Sequence, residues 1–334
     1  MNGPVLITGG AGFIGSSLAR QVHQLGADVH VLDPAACPDL LPPDLLPKGV
    51  IGHPGSILDQ DALMNAMKGC ETVYHLAANA RLWAADPGLY EQINHQGTAR
   101  VIAAARALGV QRLIATSTAL ILRDWRDPNP EPISENDPKP PLESMPGPYS
   151  RSKWLADEAL RRAMGGSLEI LILYPTVPMG PPDHFATEPT DMIKGFLHHP
   201  PPAYLEMGLN LIDVDQTAKA HLAAAQNAPD GSRFVLAGET IGFGAMLDHL
   251  AQISGRPMPR KTIPYWLAAM AGHGGNIISR LNGKAPAASV EGVRAARFFR
   301  RYDSSLARAL LHWQPQPASQ ILKRTVEAIL DPKG

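Results

Sequence analysis

The chain of 334 residues has no excess of charge of either sign: Lys and Arg number 30 against 31 Asp and Glu. A balance that close supplies no global field to draw in nucleic acid. Cysteine is nearly absent. Cys37 and Cys70 cannot make a disulfide framework and lack metal-ligand company, so a reduced, cytoplasmic setting is the simpler expectation. No uninterrupted apolar stretch reaches the roughly 18 residues of a spanning helix. The start runs straight into a strand-like segment, which leaves no room for a signal peptide. No internal repeat stands out. A chain of this length can bury one large core or one and a half, which fits a larger domain with a smaller lobe.

What is present gathers in two patches. Val5-Leu6-Ile7-Thr8 is a short apolar run of the kind expected for a buried parallel strand. Glycines follow at once in Gly9-Gly10-Ala11-Gly12-Phe13-Ile14-Gly15, and helical apolar spacing continues through Leu18, Val22 and Leu25. Strand, glycine turn and helix form the context in which G-x-G-x-x-G carries meaning. Gly10, Gly12 and Gly15 fit that pattern, and Gly9, Gly12 and Gly15 fit a three-residue spacing nested in it. Residues without a Cβ let backbone N–H groups approach a pyrophosphate at the helix N-terminus. The next strand, Val29 to Leu32, ends on Asp33. A carboxylate there can accept from both adenosine ribose hydroxyls and would repel a 2′-phosphate. No Arg or Lys stands in Pro34 to Asp39, so NAD is expected ahead of NADP. The competing reading, a glycine turn with no ligand, is disfavoured by the strand before and the acid after.

The second patch is Tyr149-Ser150-Arg151-Ser152-Lys153. Tyr149 and Lys153 share a helix face, and Pro148 suits the helix start. An ammonium beside a phenol favours the phenolate, which would bring the tyrosine toward the range useful in acid–base catalysis. A surface helix carrying Tyr and Lys one turn apart is common, so the pair alone is weak evidence. It gains from Arg112-Leu113-Ile114-Ala115-Thr116, a central-strand pattern ending in Thr116-Ser117-Thr118. Ligands of open α/β sheets bind beyond the carboxyl ends of the strands, although hydroxyls there also cap turns.

Strand-like and helix-like stretches alternate to about residue 177, the pattern of an α/β, doubly wound parallel sheet. Helices are expected over 61–68, 90–108 and 149–164, and a buried strand over 168–173. The segment 211–214, a helix over 215–227 and Phe234-Val235-Leu236 are expected to return to the first domain. The division is then 1–177 plus about 209–237 for the dinucleotide, with 178–208 and 238–334 as a smaller C-terminal substrate lobe. The proline-rich interval 124–148 leads into Tyr149 and reads as a wall or lid over substrate.

These segments together resemble the extended short-chain dehydrogenase/reductases, the epimerase/dehydratase group with its Rossmann fold. Val73-Tyr74-His75-Leu76-Ala77-Ala78 is similar to the family's fourth strand, Asn94-His95-Gln96-Gly97-Thr98 to its N-x-x-G-T helix, and Tyr174-Pro175-Thr176-Val177 to its post-strand proline segment. The resemblance implies that Tyr149 is the acid/base, that Lys153 tunes it and binds the nicotinamide ribose, and that Thr118 holds the substrate oxygen, with Ser117 the nearest competitor. It implies that Asn94 supports the active-site helix. It assigns cofactor contacts to Gly9, Gly12, Phe13, Ile14, Gly15, Asp33, Leu76, Ala77, Ala78, Thr116, Pro175 and Val177. Ala78-Asn79-Ala80-Arg81-Leu82-Trp83 and the segment Gly208 to Asp215 are most similar to hopanoid-associated epimerase/reductases and to dihydroflavonol reductase-like and 3β-hydroxysteroid dehydrogenase-like members. Gly55-Ser56-Ile57 stands where the family often has Gly-Asp, and Asp33 stands where reductase-like members often carry a basic residue.

The substrate side is read from Asn79, Arg81 and Trp83, with Arg81 able to pair with an acid or with Asp86. His184, His198 and His199 lack metal-site spacing, and no metal is expected. The apolar start of a helix at Ile263 to Ala271 precedes Arg294, Arg297, Arg300 and Arg301, which are interleaved with Phe298 and Phe299. Such a pair could rest on the anionic inner face of a membrane, or be lobe core beside a solvated arginine face. The leading expectation is an NAD-dependent alcohol–ketone oxidoreductase acting on an apolar small molecule, as a homodimer by analogy with relatives. The rivals are a nucleotide-sugar epimerase or dehydratase retaining its NAD, and a non-catalytic dinucleotide-binding sensor.

Overall fold

The computed structural model describes residues 3–36, 42, 45–184, 187–283, 285–286 and 288–331, so Cys37 lies outside the described residues. Strand β1 (Val5–Thr8) leads through the glycine turn to α1 (Phe13–Gln24), then come β2 (Val29–Asp33), β3 (Ile51–Pro54), α2 (Gln60–Met67) and β4 (Thr72–His75). A continuous helical segment follows: α3 (Gly88–Tyr90), a π-helical turn (Glu91–Gln96) and α4 (Gly97–Ala107). Next are β5 (Arg112–Thr116), α5 (Pro148–Ala163) and β6 (Glu169–Pro175). Then come β7 (Val177–Met179), α6 (Glu188–His198), β8 (Tyr204–Leu205), β9 (Gly208–Asp213), α7 (Val214–Asn227) and β10 (Arg233–Leu236). The chain finishes with β11 (Glu239–Gly242), α8 (Phe243–Ser254), β12 (Thr262–Ile263), α9 (Tyr265–Asn282), α10 (Val290–Ala295), α11 (Ser305–Leu311) and α12 (Ala318–Leu330).

Seven of these strands make one sheet in the order β10-β6-β5-β4-β1-β2-β3, parallel at every pairing. Its central strands read as unbroken apolar runs because both faces are covered. One face is packed by Leu63, Val101 and Leu160 from α2, α4 and α5. The other is packed by Leu18, Ala218 and Leu311 from α1, α7 and α11. The winding reverses between β1 and β4, and a ligand crevice opens beyond strand ends at such a reversal.

β9 departs from the expected return to the first domain. It pairs with β7 and β11 in a separate three-stranded sheet, in the register Val177↔Leu211. The cause is the path of β6: after Pro175 the chain crosses at Thr176 into β7, and β7 is the strand that recruits β9. α7 still packs on α1, and β10 still extends the large sheet beside β6. A third apolar cluster, with Met179, Leu211, Phe243, Leu247 and Ile321, fills the smaller part.

The arginine-rich stretch is not one basic helix, since α10 stops at Ala295. Its side chains hold the proline-rich loop. Arg294 donates to the Pro146 carbonyl at 3.0 Å, Arg300 to those of Asp124 and Asp127, and Arg301 to that of Pro130. Trp125 of that loop receives both Arg294 and Arg297 against its ring. On α9, Trp266, Leu267 and Met270 are exposed. No helix among the described residues is long and apolar enough to cross a membrane.

Candidate active site

The glycine turn is shaped by close approach. Gly9 has φ +71°, and a Cβ there would stand 2.6 Å from the Ala77 nitrogen, so only glycine fits between β1 and the segment after β4. A Cβ on Gly15 would collide with the Gly9 carbonyl, which welds the first turn of α1 to the end of β1. α1 opens at Gly12 without a side-chain cap and without an acid in its first turn. Its N–H groups and positive dipole end are therefore open to an anion. Phe13 and Ile14 are half-buried in that turn.

Asp33 stands at the end of β2, its oxygens accepting from Ala11 (3.3 Å) and Ala35 (2.9 Å). Burial pushes its carboxyl up, with those two backbone N–H groups opposing. It is thus fixed beside the glycine turn with acceptor capacity to spare, as a ribose diol needs. Cradle and acid fit a dinucleotide.

Leu76, Ala77 and Ala78 follow β4 as extended chain. Thr8 holds them, its carbonyl accepting from Leu76 (3.0 Å) and its hydroxyl from Ala77 (3.4 Å). Pro175 is buried as the last residue of β6, and Val177 is half-buried in β7.

Tyr149 and Lys153 lie one turn apart at the start of α5, and the side chain of Thr118, just past the end of β5, lies near enough to the Tyr149 phenol to favour its ionised form. The structure therefore brings all three together. The Ser117 hydroxyl is buried and has no partner among the described residues. Lys153 donates to the Thr116 carbonyl at 2.8 Å, while the Thr116 hydroxyl is bonded to His221 at 2.7 Å. Burial lowers the lysine to about 8, partly offset by Asp157.

One expectation is corrected here. The phenol of Tyr149 is held well above its ordinary value, not below it. Burial dominates, the Thr118 hydroxyl opposes it, and the carboxylates of Glu291 and Glu188 add to it. The ammonium expected to acidify the phenol is directed at the Thr116 carbonyl instead.

Of the supporting shell, the sequence points to Asn94 but not to Tyr90, Glu188 or Glu291. Asn94, on the π-helical turn, clamps the backbone of Asn79 on both sides (2.8 and 3.0 Å) and donates to Ser152 of α5 at 2.9 Å. Turns of this type recur at functional sites. The Tyr90 ring meets that of Tyr149 edge-on with centroids 6.3 Å apart, and its hydroxyl donates to the Arg81 carbonyl. Arg81 is exposed and does not pair with Asp86, whose carboxylate caps Gly88. Trp83 is half-buried. Glu188, the first residue of α6, accepts from the Leu82 nitrogen at 2.7 Å, and Glu291 of α10 accepts from Tyr149 and Ser150. Glu291 had one faint signal, as the only acid between Asp248 and Asp303.

A glycine turn, a carboxylate fixed beside it and a Tyr/Lys/Thr cluster accord with an NAD(P)-dependent enzyme of the extended short-chain dehydrogenase/reductase type, the class that its relatives show. The chain belongs to the NAD dependent epimerase/dehydratase family, whose model matches residues 5–237. It is 33% identical over 307 residues to a candidate dihydroflavonol 4-reductase of Synechocystis sp., covering 90% of this chain and 87% of that one. It is 28% identical over 280 residues to a 2-alkyl-3-oxoalkanoate reductase of Stenotrophomonas maltophilia, covering 80% and 81%. Among solved structures, that of gox2253 superposes with a TM-score of 0.84 at 27% identity, covering 99% of both chains.

Proposed function

We propose that the protein interconverts a secondary alcohol and a ketone on an apolar small molecule of sterol-, hopanoid-, flavonoid- or long-chain type, with NAD preferred to NADP. The observation that carries this reading is the gathering of Tyr149, Lys153 one turn behind it, and Thr118 at the carboxyl end of the central strands. Bound NAD would accept the hydride of the alcohol carbon, or return it as NADH. In reduction, Tyr149 gives its proton to the developing alkoxide, and the protein itself favours that protonated form. In oxidation, Tyr149 must take the hydroxyl proton, which requires the positive charge of Lys153 to offset burial. Thr118 holds the phenol and the substrate oxygen in line.

The glycine turn, Asp33, the segment from Leu76 to Ala78, Thr116, Pro175 and Val177 would hold the dinucleotide. Asn79, Arg81 and Trp83 would face substrate. In this division the large sheet mainly serves the cofactor, with Val177 of β7 joining it, and the smaller part, including β9, serves the substrate together with the segment after β4. The similarity to a dihydroflavonol 4-reductase and to a 2-alkyl-3-oxoalkanoate reductase supports the substrate class.

The test is a reduction screen with NAD and NADP side by side, over sterol-like, hopanoid-like, flavonoid-like, long-chain and sugar-nucleotide alcohols. Tyr149→Phe should abolish turnover while dinucleotide affinity stays nearly unchanged. Turnover surviving that change would refute the assignment, and catalysis on a sugar nucleotide without net NADH would favour an epimerase.

A further inference from the structure

Glu291 reaches the helix of Tyr149 from 142 residues away along the chain. It sits on α10, only 3% exposed, and its two oxygens accept the backbone N–H of Tyr149 at 3.0 Å and of Ser150 at 2.7 Å. Those are donors that a helix start leaves without intrahelical partners. The residue at the cap position is Gly147, which has no side chain to serve them. Gly147 is fitted to the carboxylate, since a Cβ there would run into the Glu291 carboxyl group. Its backbone is extended, so space and not torsion demands the glycine.

The same short helix walls a cavity of about 210 Å³ through Val290, Val293 and Arg294, opposite Trp125 of the proline-rich loop and Tyr265 of α9. The cavity wall and the Tyr149 backbone therefore form one hydrogen-bonded unit.

We infer that Glu291 is a positioning residue: from the segment that lines this cavity, its carboxylate fixes the first turn of α5 and so the aim of the Tyr149 phenol toward Thr118. The inference rests on the proposed role of Tyr149. It also has an electrical consequence. The groups facing the phenol are Glu291 from α10, Glu188 from α6, Tyr90 beside the π-helical turn and Thr118 past β5, while the Lys153 ammonium on α5 itself is turned to the Thr116 carbonyl. An anion there disfavours the phenolate. Gln in place of Glu291 removes that charge, so the phenol loses its proton more readily and the rising limb of alcohol oxidation moves to lower pH. A carboxylate without electrostatic reach to the phenol would leave that limb in place.

The experiment compares kcat, KM, dinucleotide Kd and pH profiles of the full chain with Glu291→Gln, Glu291→Ala, Gly147→Ala and the Gly147→Ala/Glu291→Ala double variant. Glu291→Ala should lower kcat roughly 10- to 100-fold, the scale of a small misplacement of a reacting group, with dinucleotide Kd little changed. Gly147→Ala should do similar harm alone and add little in the Glu291→Ala background, the mark of a coupled pair. Glu291→Gln keeps one acceptor oxygen, so it should remain folded and show the acid-ward limb. An unmoved limb in folded Glu291→Gln overturns the inference, as do full kcat in Glu291→Ala or additive losses in the double variant. Activity surviving in Tyr149→Phe would remove the underlying reading instead, so the two failures are separable.

Discussion

Lys139 and Asp157 form a buried ion pair, 2.9 Å apart, that ties the proline-rich loop to the helix bearing Tyr149. The same carboxylate also accepts from Tyr174 at 2.6 Å and from Arg161 at 2.7 Å, and the Lys139 ammonium lies 3.8 Å from the centre of the Trp154 ring. Lys139 would keep Glu158 at 3.3 Å, but loss of Asp157 leaves Arg161 and the Tyr174 hydroxyl without their carboxylate partner. Asp157→Ala should therefore cost on the order of 3–5 kcal/mol. Urea denaturation checks this, and a loss below about 1 kcal/mol would show the network to be dispensable.

Thr118 offers a second handle on the same phenol. Its hydroxyl pulls the Tyr149 phenol down against burial. Thr118→Val removes that pull, so the rising limb of alcohol oxidation should move to higher pH, while Thr118→Ser should restore it. The direction is opposite to that expected for Glu291→Gln, and pH–rate profiles of the two variants should diverge from the wild type on either side.

The parts of the fold that could be read from sequence are those whose environment is symmetric. β1, β5 and β6 have both faces covered and show it as unbroken apolar runs. β3, Ile51-Gly52-His53-Pro54, is a mostly exposed edge strand with glycine and proline in it, and no local pattern announces it. The helix expected over 90–108 carries a π-helical turn that apolar spacing does not reveal. The arginines after Val293 read as a basic helix because their use, donating to loop carbonyls some 150 or more residues earlier, is a tertiary fact. In the site, Tyr149, Lys153 and Thr118 are legible because they fall on strand ends and one helix face. The acidity of the phenol was not, because burial and the direction of the Lys153 ammonium are set by the folded surroundings.

Two buried histidines give an acid-side prediction. His75 lies between the hydroxyls of Thr8 and Thr98, and burial lowers it to about 3; His221 is lowered by burial to about 4. Both folded values are depressed below the ordinary value of about 6.5. Below that pH the unfolded chain takes up protons that the folded chain refuses, so stability falls as the pH drops from about 6.5 toward the two folded values. The urea midpoint should decline over this range, and His221→Gln should flatten the decline. An equally steep decline in that variant would point to other groups.

At the cofactor end, Gly15→Ala forces a Cβ into the Gly9 carbonyl. Dinucleotide binding should be lost along with a measurable drop in thermal stability, because the turn must open to accommodate it. Unchanged Kd by titration would contradict the packing described.

Asp33→Asn keeps the acceptor oxygen for the turn but removes the charge that would repel a 2′-phosphate. The NAD-to-NADP affinity ratio should fall, roughly tenfold if the charge term is near 1.4 kcal/mol. Parallel titrations with both dinucleotides give the answer directly.

Thr176 is the single residue between a strand of the seven-stranded sheet and a strand of the three-stranded one, and it is pinned twice. Its nitrogen donates to Leu236 at 3.1 Å and its hydroxyl to the Asn210 side chain at 2.8 Å, while Asn210 also bonds Gly238 and Thr240. A joint so short and so firmly bolted does not serve as a hinge. The chain therefore passes from the larger sheet to the smaller one without a flexible link at this crossing.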